Sequence, residues 1–512
     1  MESYDVIIIG TGAGGGTLAH RLAPSGKRIL ILERGGFLPR EKQNWESAEV
    51  FLKARYHTNE MWRDKKGRKF MPGTGYYVGG NTKVFGGAMF RLRERDFETV
   101  QHKGGISPEW PVKYRDFEPY YGQAEKIYGV HGQRGIDPTE PKISEDYPFP
   151  PLEHEPRIQE LHDRLVKLGC SPFPLPLSVR YDATHRLRGQ CLRCNTCDGH
   201  PCLLDAKSDA DIAGVRPALQ YSNVTLFLKA QVKRLLTEHN AREISAVEVE
   251  CDGALRQFHA DIVVLCAGAV NSAAILLRSA NNKHSRGLAN SSDQVGRNYM
   301  RHLNCAMLGV TAKRNPSVFQ KTMGMNDFYW GEKDFPFPMG HIQLLGKADK
   351  NVLASDSPFY VPHSILKQLA ARSIDWWMSS EDLPHPDNRV TLERDGEIRL
   401  RLTDRYHEHF DRLMKRWIGI LKKADGGNQV VPLSLYLRKN IPIRGTAHQN
   451  GTCRFGDDAT TSVLNLNCRA HDVDNLYVVD GSFFPSCGAV NPSLTIAANA
   501  LRVGDHLLER LG

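Results

Sequence analysis

No run of apolar residues in this 512-residue chain approaches the ~18 that a membrane-spanning helix needs, so no membrane span is expected. The apolar stretch from Val6 to Ile9 is far too short for the hydrophobic region of an export signal, and cytoplasmic residence is the expectation. Dense basic clusters are missing as well. The formal charge is +9, but the densest stretch, Arg63-Asp64-Lys65-Lys66-Gly67-Arg68-Lys69, is broken by Asp and Gly. It reads as a solvated hairpin, and a nucleic-acid partner is not expected. There is no repeat with a period of about 20–50 residues and no low-complexity tract, which excludes a solenoid or a fibrous chain. The eleven cysteines are an odd number in a chain without an evident export signal, which argues against a disulfide framework and for reduced thiols.

What is present is the composition of a folded protein, 41% hydrophobic and 24% charged, in a chain long enough for two or three lobes. Tyr4 to Ile9 is a β-branched run ending in glycines, Ala13 to Ala23 is helical in composition, and Arg28 to Leu32 is a second apolar run ending in Glu33. That is strand, tight turn, helix, strand. A similar unit runs from Asp261 to Leu277, and a third joins Leu476–Val479 to a helix over Ser493 to Leu511. A nucleotide domain assembled from strands so far apart would be discontinuous. Between them, residues 137–156 and 171–178 are proline-dense connections flanking an amphipathic helix near Ile158 to Leu168. Residues 306–440 carry aromatic clusters such as Trp376-Trp377 and strands such as Arg389 to Leu392, and read as an inserted substrate lobe.

Gly10-x-Gly12-x-x-Gly15 follows a strand, opens a helix, and has an acid, Glu33, downstream, which is the context a dinucleotide fingerprint requires. The first glycine permits the turn, the second admits a pyrophosphate against backbone, and the third lets helix and strand approach. The helix N-terminus, with Ala13 and Gly14 in its first turn, attracts the negative charge. Glu33 would accept from ribose hydroxyls and disfavours a 2′-phosphate, with Arg34 beside it. The motif alone does not separate FAD from NAD.

Three further segments bear on that choice: Val78-Gly79-Gly80-Asn81-Thr82-Lys83-Val84-Phe85-Gly86-Gly87-Ala88, the pair Asp480-Gly481 after a strand, and Asn491-Pro492-Ser493-Leu494-Thr495. Together with the glycine turn they resemble the glucose–methanol–choline oxidoreductases nearly end to end, with pyranose oxidases and bacterial glycoside 3-oxidases as the nearest look-alikes. The resemblance implies an α/β fold: a discontinuous Rossmann-like FAD-binding domain over 1–95, 190–305 and 441–512, and a substrate-binding domain on a largely antiparallel sheet over 96–189 and 306–440. It also implies that Gly79, Gly80, Asn81, Thr82, Gly86, Gly87, Ala88, Val232, Ala267, Gly268, Asp480, Gly481, Pro492 and Thr495 line the cofactor. Backbone amides of the paired glycines would approach a planar ring as side chains cannot. Fungal pyranose oxidases tether the flavin through a histidine in this loop, and the matching position here is Val84, so dissociable FAD is expected.

Oxidation of an alcohol by hydride transfer needs a base for the hydroxyl proton, and histidine suits that role near neutrality. Among twenty histidines, His448 stands in His448-x-x-Gly451-Thr452, where the family keeps its base. Asn491 falls at the position of the base's partner and would fix the distance of the substrate oxygen; it also suits a helix N-cap. In Gly340-His341-Ile342-Gln343-Leu344 the alternation places His341 and Gln343 on one face of a strand. Gln343 is a substrate candidate there, set against a solvated strand face.

Cys191-x2-Cys194-x2-Cys197-x4-Cys202, with His200 among them, differs from the ferredoxin run in its last spacing and in Pro201, and offers no second pair for zinc. It reads as a structural thiol knot without metal. An iron–sulfur relay to a partner stays as an alternative. The activity expected is oxidation of a secondary ring hydroxyl of a sugar or glycoside, with O2 or a quinone-like acceptor reoxidising the flavin. A hydroxynitrile lyase on the same fold and an iron–sulfur dehydrogenase are the competing readings. An NAD-dependent reductase would need a second nucleotide fingerprint, and none is present.

Overall fold

The computed structural model describes residues 3–184, 191–424, 429–432 and 447–512. The run Val6-Ile7-Ile8-Ile9 is buried on both faces, as apolar residues without alternation are when a strand lies inside a parallel sheet. That strand, β1 (Ser3–Ile9), has β2 (Ile29–Leu32) on one side, followed by β3 (Val224–Phe227). On the other side lie β4 (Ala254–Leu265) and then β5 (Leu476–Val478), all parallel. The registers Val6↔Ile262 and Val263↔Leu476 join the three strand–helix units that the sequence pointed to into one sheet. β4 also turns back through Ile244–Cys251 and Ala230–Thr237 as an antiparallel extension.

Each of three parallel strands leads toward a helix on the same edge of the sheet: β1 to α1 (Ala13–Leu22), β4 to α2 (Ala269–Arg278), and β5, through a short turn and loop, to α3 (Ser493–Leu511). α1 packs on α3. The amphipathic helix expected near Ile158 is Pro156–Lys167, and the basic stretch is the turn between the antiparallel strands Trp62–Arg63 and Lys69–Phe70.

A second sheet, antiparallel throughout, draws Phe173–Pro174, Met323–Met325, His341–Leu344, Ser373–Ser380, Leu303–Val310 and Gln429–Pro432 together in that order. The Glu408–Ala424 helix covers it, with Trp417 edge-on to Trp376 at 4.6 Å between ring centroids. One expectation is corrected here. The strand carrying His341 and Gln343 is buried along its whole length, so it is no solvated face. The two side chains do share a face, where they bond each other, Nε2 to Oε1, at 3.0 Å, and Asn326 takes up His341 Nδ1 at 2.7 Å. Polar alternation signalled water, but an internal hydrogen-bond chain satisfies the same groups.

Candidate active site

The glycine turn and the Gly79-Gly80 segment meet. Gly79 N–H donates to Thr11 Oγ1 at 3.1 Å, and a Cβ on Gly80 would stand 3.1 Å from Gly12 Cα. Gly79 has φ +94°, a conformation that glycine adopts freely. Behind the turn the fit is closed: a Cβ on Gly14 would lie 1.8 Å from the Val479 carbonyl oxygen, and one on Gly15 2.0 Å from that of Gly10. In front it is open, since a Cβ on Gly12 or Gly268 meets nothing within 4 Å. Gly12, Ala13, Gly80, Asn81, Ala267 and Gly268 are each partly accessible. Gly12 is the N-cap of α1, which has no side-chain cap and no acid in its first turn, so its amides and dipole are free for an anion.

This cradle fits a dinucleotide. Asp480 knits its far corner, accepting from Gly268 N–H at 2.9 Å, Ser272 Oγ at 2.5 Å, and Ser482 N–H at 2.8 Å. Glu33 is buried and already accepts from the Thr11 amide and hydroxyl and from Gly35 N–H, which leaves about one of a carboxylate's four lone-pair sites for a ribose hydroxyl. Arg34 pairs with Glu60 at 2.9 Å and lies over the Tyr76 ring. Val232 sits in the Ala230–Thr237 strand, opposite Val249.

Not every expected residue faces the open side. Thr82 is buried, its hydroxyl donating to Gly79 O at 2.5 Å and accepting from Ala210 N–H at 3.0 Å, and Asn81 Oδ1 accepts from Gly75 N–H. Gly87 O accepts from Ser178 N–H at 2.7 Å, and Ala88 bridges to Leu177. Thr495 bonds the Tyr121 hydroxyl at 2.8 Å, and Gly481 lies against the Gln449 carbonyl. Pro492, not Asn491, is the N-cap of α3, and no side chain caps that helix, which corrects the capping reading of Asn491.

The cysteine loop is tied down by two buried ammonium groups. Lys207 Nζ donates to the carbonyls of Phe85, Cys197 and His200 at 2.8, 2.9 and 2.6 Å. Lys321 Nζ reaches Gly86 O and, at 2.6 Å, Asp198. All eleven cysteines are free thiols. Burial pushes the Cys191 thiol up to about 12. Cys266 and Cys305 are core residues, as expected.

His448 precedes the strand Gln449–Asn450, which pairs with Met300–Arg301, and Gly451 N–H bonds Gly481 O at 3.0 Å. This brings His448 beside the end of the parallel sheet. Its Nδ1 lies 2.8 Å from Nδ1 of His302, a fully buried residue that sequence reasoning missed. Burial, and then the neighbouring His302, lowers the proton affinity of His448 well below the ordinary 6.5, and burial holds His302 at about 4. Both rings are neutral at physiological pH.

The loop leading to Asn491 is held from the antiparallel sheet. Ser379 Oγ donates to Ala489 O at 2.7 Å, the Tyr329 hydroxyl accepts from Ala489 N–H at 3.1 Å, and Glu381 accepts from Gly488 N–H at 3.1 Å. Glu381 also takes bonds from Ser107 and His102. Burial opposes its ionisation, but these donors outweigh it and keep the carboxyl below the usual range. Asp96, bonded by Tyr329, is pushed up to about 7 by burial and by the Glu381 charge. Among the described residues, His448 Nε2 and the Asn491 amide have no hydrogen-bond partner, and both residues are partly accessible, whereas the unpartnered amide atoms of nearby Asn450 are buried. A partly open imidazole nitrogen can take a proton from a hydroxyl group, and a partly open amide can hydrogen-bond one. His302, Glu381 and Lys207 sit in no motif, so the sequence carried no signal for them, whereas Tyr329 belongs to the aromatic cluster Phe328-Tyr329-Trp330, which marks the lobe but not the role of the hydroxyl.

Two family models, both described as GMC oxidoreductase, match residues 4–304 and 384–500. Paromamine 6'-oxidase of Streptomyces fradiae is 30% identical over 98% of this chain and 90% of its own length. The 6'''-hydroxyparomomycin C oxidase of Streptomyces lividus is 29% identical over 99% and 92%, and the fructose dehydrogenase large subunit of Gluconobacter japonicus 26% over 99% and 98%. Among solved structures, pyridoxine 4-oxidase from Mesorbium loti superposes with a TM-score of 0.70 at 19% identity, covering 98% of this chain and 99% of that one. A formate oxidase does so with 0.71 at 15%, covering 99% and 98%, and both likenesses are of fold. The chain belongs to the GMC oxidoreductase family, FAD-binding enzymes that act on CH–OH groups.

Proposed function

We propose that the protein oxidises a hydroxyl group of a sugar or glycoside, a secondary ring hydroxyl in the first instance, with His448 as base and Asn491 as the group that holds the same oxygen. The observation that carries this reading is that His448 Nε2 and the Asn491 amide are both partly accessible and, among the described residues, without a hydrogen-bond partner. The similarity to enzymes named for aminoglycosides and fructose supports the sugar class.

FAD, held by the turn at Gly10 to Gly15, by Gly79-Gly80 and by the Asp480 corner, supplies the hydride acceptor when bound. The chain's own residues do the rest. His448 takes the hydroxyl proton at Nε2, and Asn491 keeps that oxygen at a fixed distance, so that proton loss and C–H cleavage share one geometry. Once protonated, His448 places positive charge beside the reaction centre, which favours negative charge forming there during reoxidation by O2 or a quinone-like acceptor. Val84 offers no nucleophile, so the flavin is held without a covalent bond. We assign cofactor binding to the parallel-sheet segments 1–95, 190–305 and 441–512, and substrate binding to 96–189 and 306–440, with Gln343 among its polar groups.

The test is anaerobic mixing of the holoenzyme with free sugars, O-glycosides, C-glycosides and simple alcohols while flavin absorbance is followed. Bleaching by sugars or glycosides, with the oxidised carbon located by NMR of the product, supports the reading; a primary hydroxyl as the site would correct its finer part. No bleaching by any alcohol, with cyanide release from a cyanohydrin, would replace it with a lyase, and iron in stoichiometric amount would replace it with a relay dehydrogenase.

A further inference from the structure

The distance between the Nδ1 atoms of His302 and His448 is 2.8 Å, so one proton lies between two ring nitrogens. Which ring owns it follows from the other side of His302. Its Nε2 faces the Cys487 carbonyl oxygen at 3.4 Å, and a carbonyl only accepts. A lone pair turned on that oxygen would be repelled, in a place where His302 is 1% exposed and water offers no alternative. Nε2 therefore carries the hydrogen. In a neutral ring that leaves Nδ1 of His302 as a lone pair, so the shared proton belongs to Nδ1 of His448.

We infer that His302 is a positioning residue that fixes the tautomer of His448, so that its Nε2 presents a lone pair to the substrate hydroxyl. The inference rests on the reading of His448 as the base. Imidazole in water prefers no such arrangement strongly, and a base with its proton on Nε2 would present a donor where an acceptor is needed. The same contact serves the next state. When His448 receives the substrate proton on Nε2, its Nδ1–H becomes the donor of a charge-assisted bond to neutral His302. The arrangement extends to the substrate-holding loop, because the carbonyl that orients His302 belongs to Cys487, whose thiol donates to Asp382 O at 3.4 Å, and the following Gly488 N–H is held by Glu381.

The test uses holoenzyme with 15N-labelled histidine, the His448 signals being assigned by their loss in His448→Ala. We expect His448 of the wild type to show a protonated Nδ1 and an unprotonated Nε2; the opposite tautomer would overturn the inference without any further variant. Two substitutions then separate position from bulk. His302→Asn keeps an oxygen acceptor near the place of Nδ1 and should reduce its flavin within about tenfold of the wild-type rate. His302→Leu removes the acceptor and should be slower by about a hundredfold, with His448 a mixture of tautomers. Equal slowing in both variants with an unchanged tautomer, or a wild-type rate in His302→Leu, contradicts the inference. If His448→Ala itself reduces at the wild-type rate, the base assignment fails first, and the two failures are distinct.

Discussion

His448 and His302 lie ring to ring at 2.8 Å, each disfavouring a proton charge on the other in the resting state, and the pH behaviour of the enzyme follows from that. Burial and then His302 lower the pKa of His448 below 6.5. A base works when deprotonated, so a lowered pKa extends activity toward acid and does not restrict it at neutral pH. Flavin reduction at saturating substrate should be level from about pH 8 down to about 6.5 and decline only below that. A rate that drops by half near pH 6.5 to 7 would show an ordinary histidine in this place. Val84 bears on a second residue-scale outcome. Its side chain has no atom that bonds carbon 8α of a flavin, so acid precipitation should leave all of the flavin in the supernatant; yellow colour retained in the pellet would point to a tether elsewhere. Both histidine and valine were legible as residue types in a motif. His302 was not, since a lone histidine after Met300-Arg301 looks like any other, and only the fold brings it within 2.8 Å of His448.

The turn between β1 and α1 divides two kinds of glycine. A Cβ on Gly14 would lie 1.8 Å from the Val479 carbonyl, whereas one on Gly12 meets no protein atom within 4 Å. Gly14→Ala should therefore fail to fold or unfold at markedly lower temperature. Gly12→Ala should keep the unfolding midpoint of the flavin-free protein and weaken FAD binding at least about tenfold, read by fluorescence titration of apoprotein. Equal FAD affinity in Gly12→Ala would mean that the cofactor does not lie on this turn. At the cysteine loop, Lys207 satisfies three carbonyls at once. Lys207→Met strands them in a buried place, a loss of about 3 kcal/mol or more, and should lower the unfolding midpoint by several degrees. An unchanged midpoint would show that the loop is held otherwise. The spacing of the cysteines drew attention to this loop, but its anchors, Lys207 and Lys321, lie outside that pattern and were invisible to it.

Across the whole molecule, the sequence revealed the parallel sheet best, because Val6–Ile9, Ile29–Leu32, Ile262–Leu265 and Leu476–Val479 are continuous apolar runs with a glycine or an acid at or soon after their ends, a signature that needs no partner to be read. The antiparallel sheet was less legible. His341-Ile342-Gln343 alternates as a half-exposed strand does, but both of its faces are covered, and its polar side chains satisfy one another. Which residues of that sheet grip the loop at Gly488-Ala489 depended on strand order alone. The proposed reaction centre draws on two parts of the fold, a histidine leading into the Gln449–Asn450 strand, which bonds to the turn after β5 through Gly451 and Gly481, and an asparagine at the end of a loop fixed by the antiparallel sheet. The most direct measurement is stopped-flow flavin reduction of His448→Ala under anaerobic conditions, with a sugar or glycoside that reduces the wild type. The account predicts bound FAD with an unaltered oxidised spectrum and reduction slower by about two or more orders of magnitude. A flavin-loaded variant that reduces at the wild-type rate would contradict it.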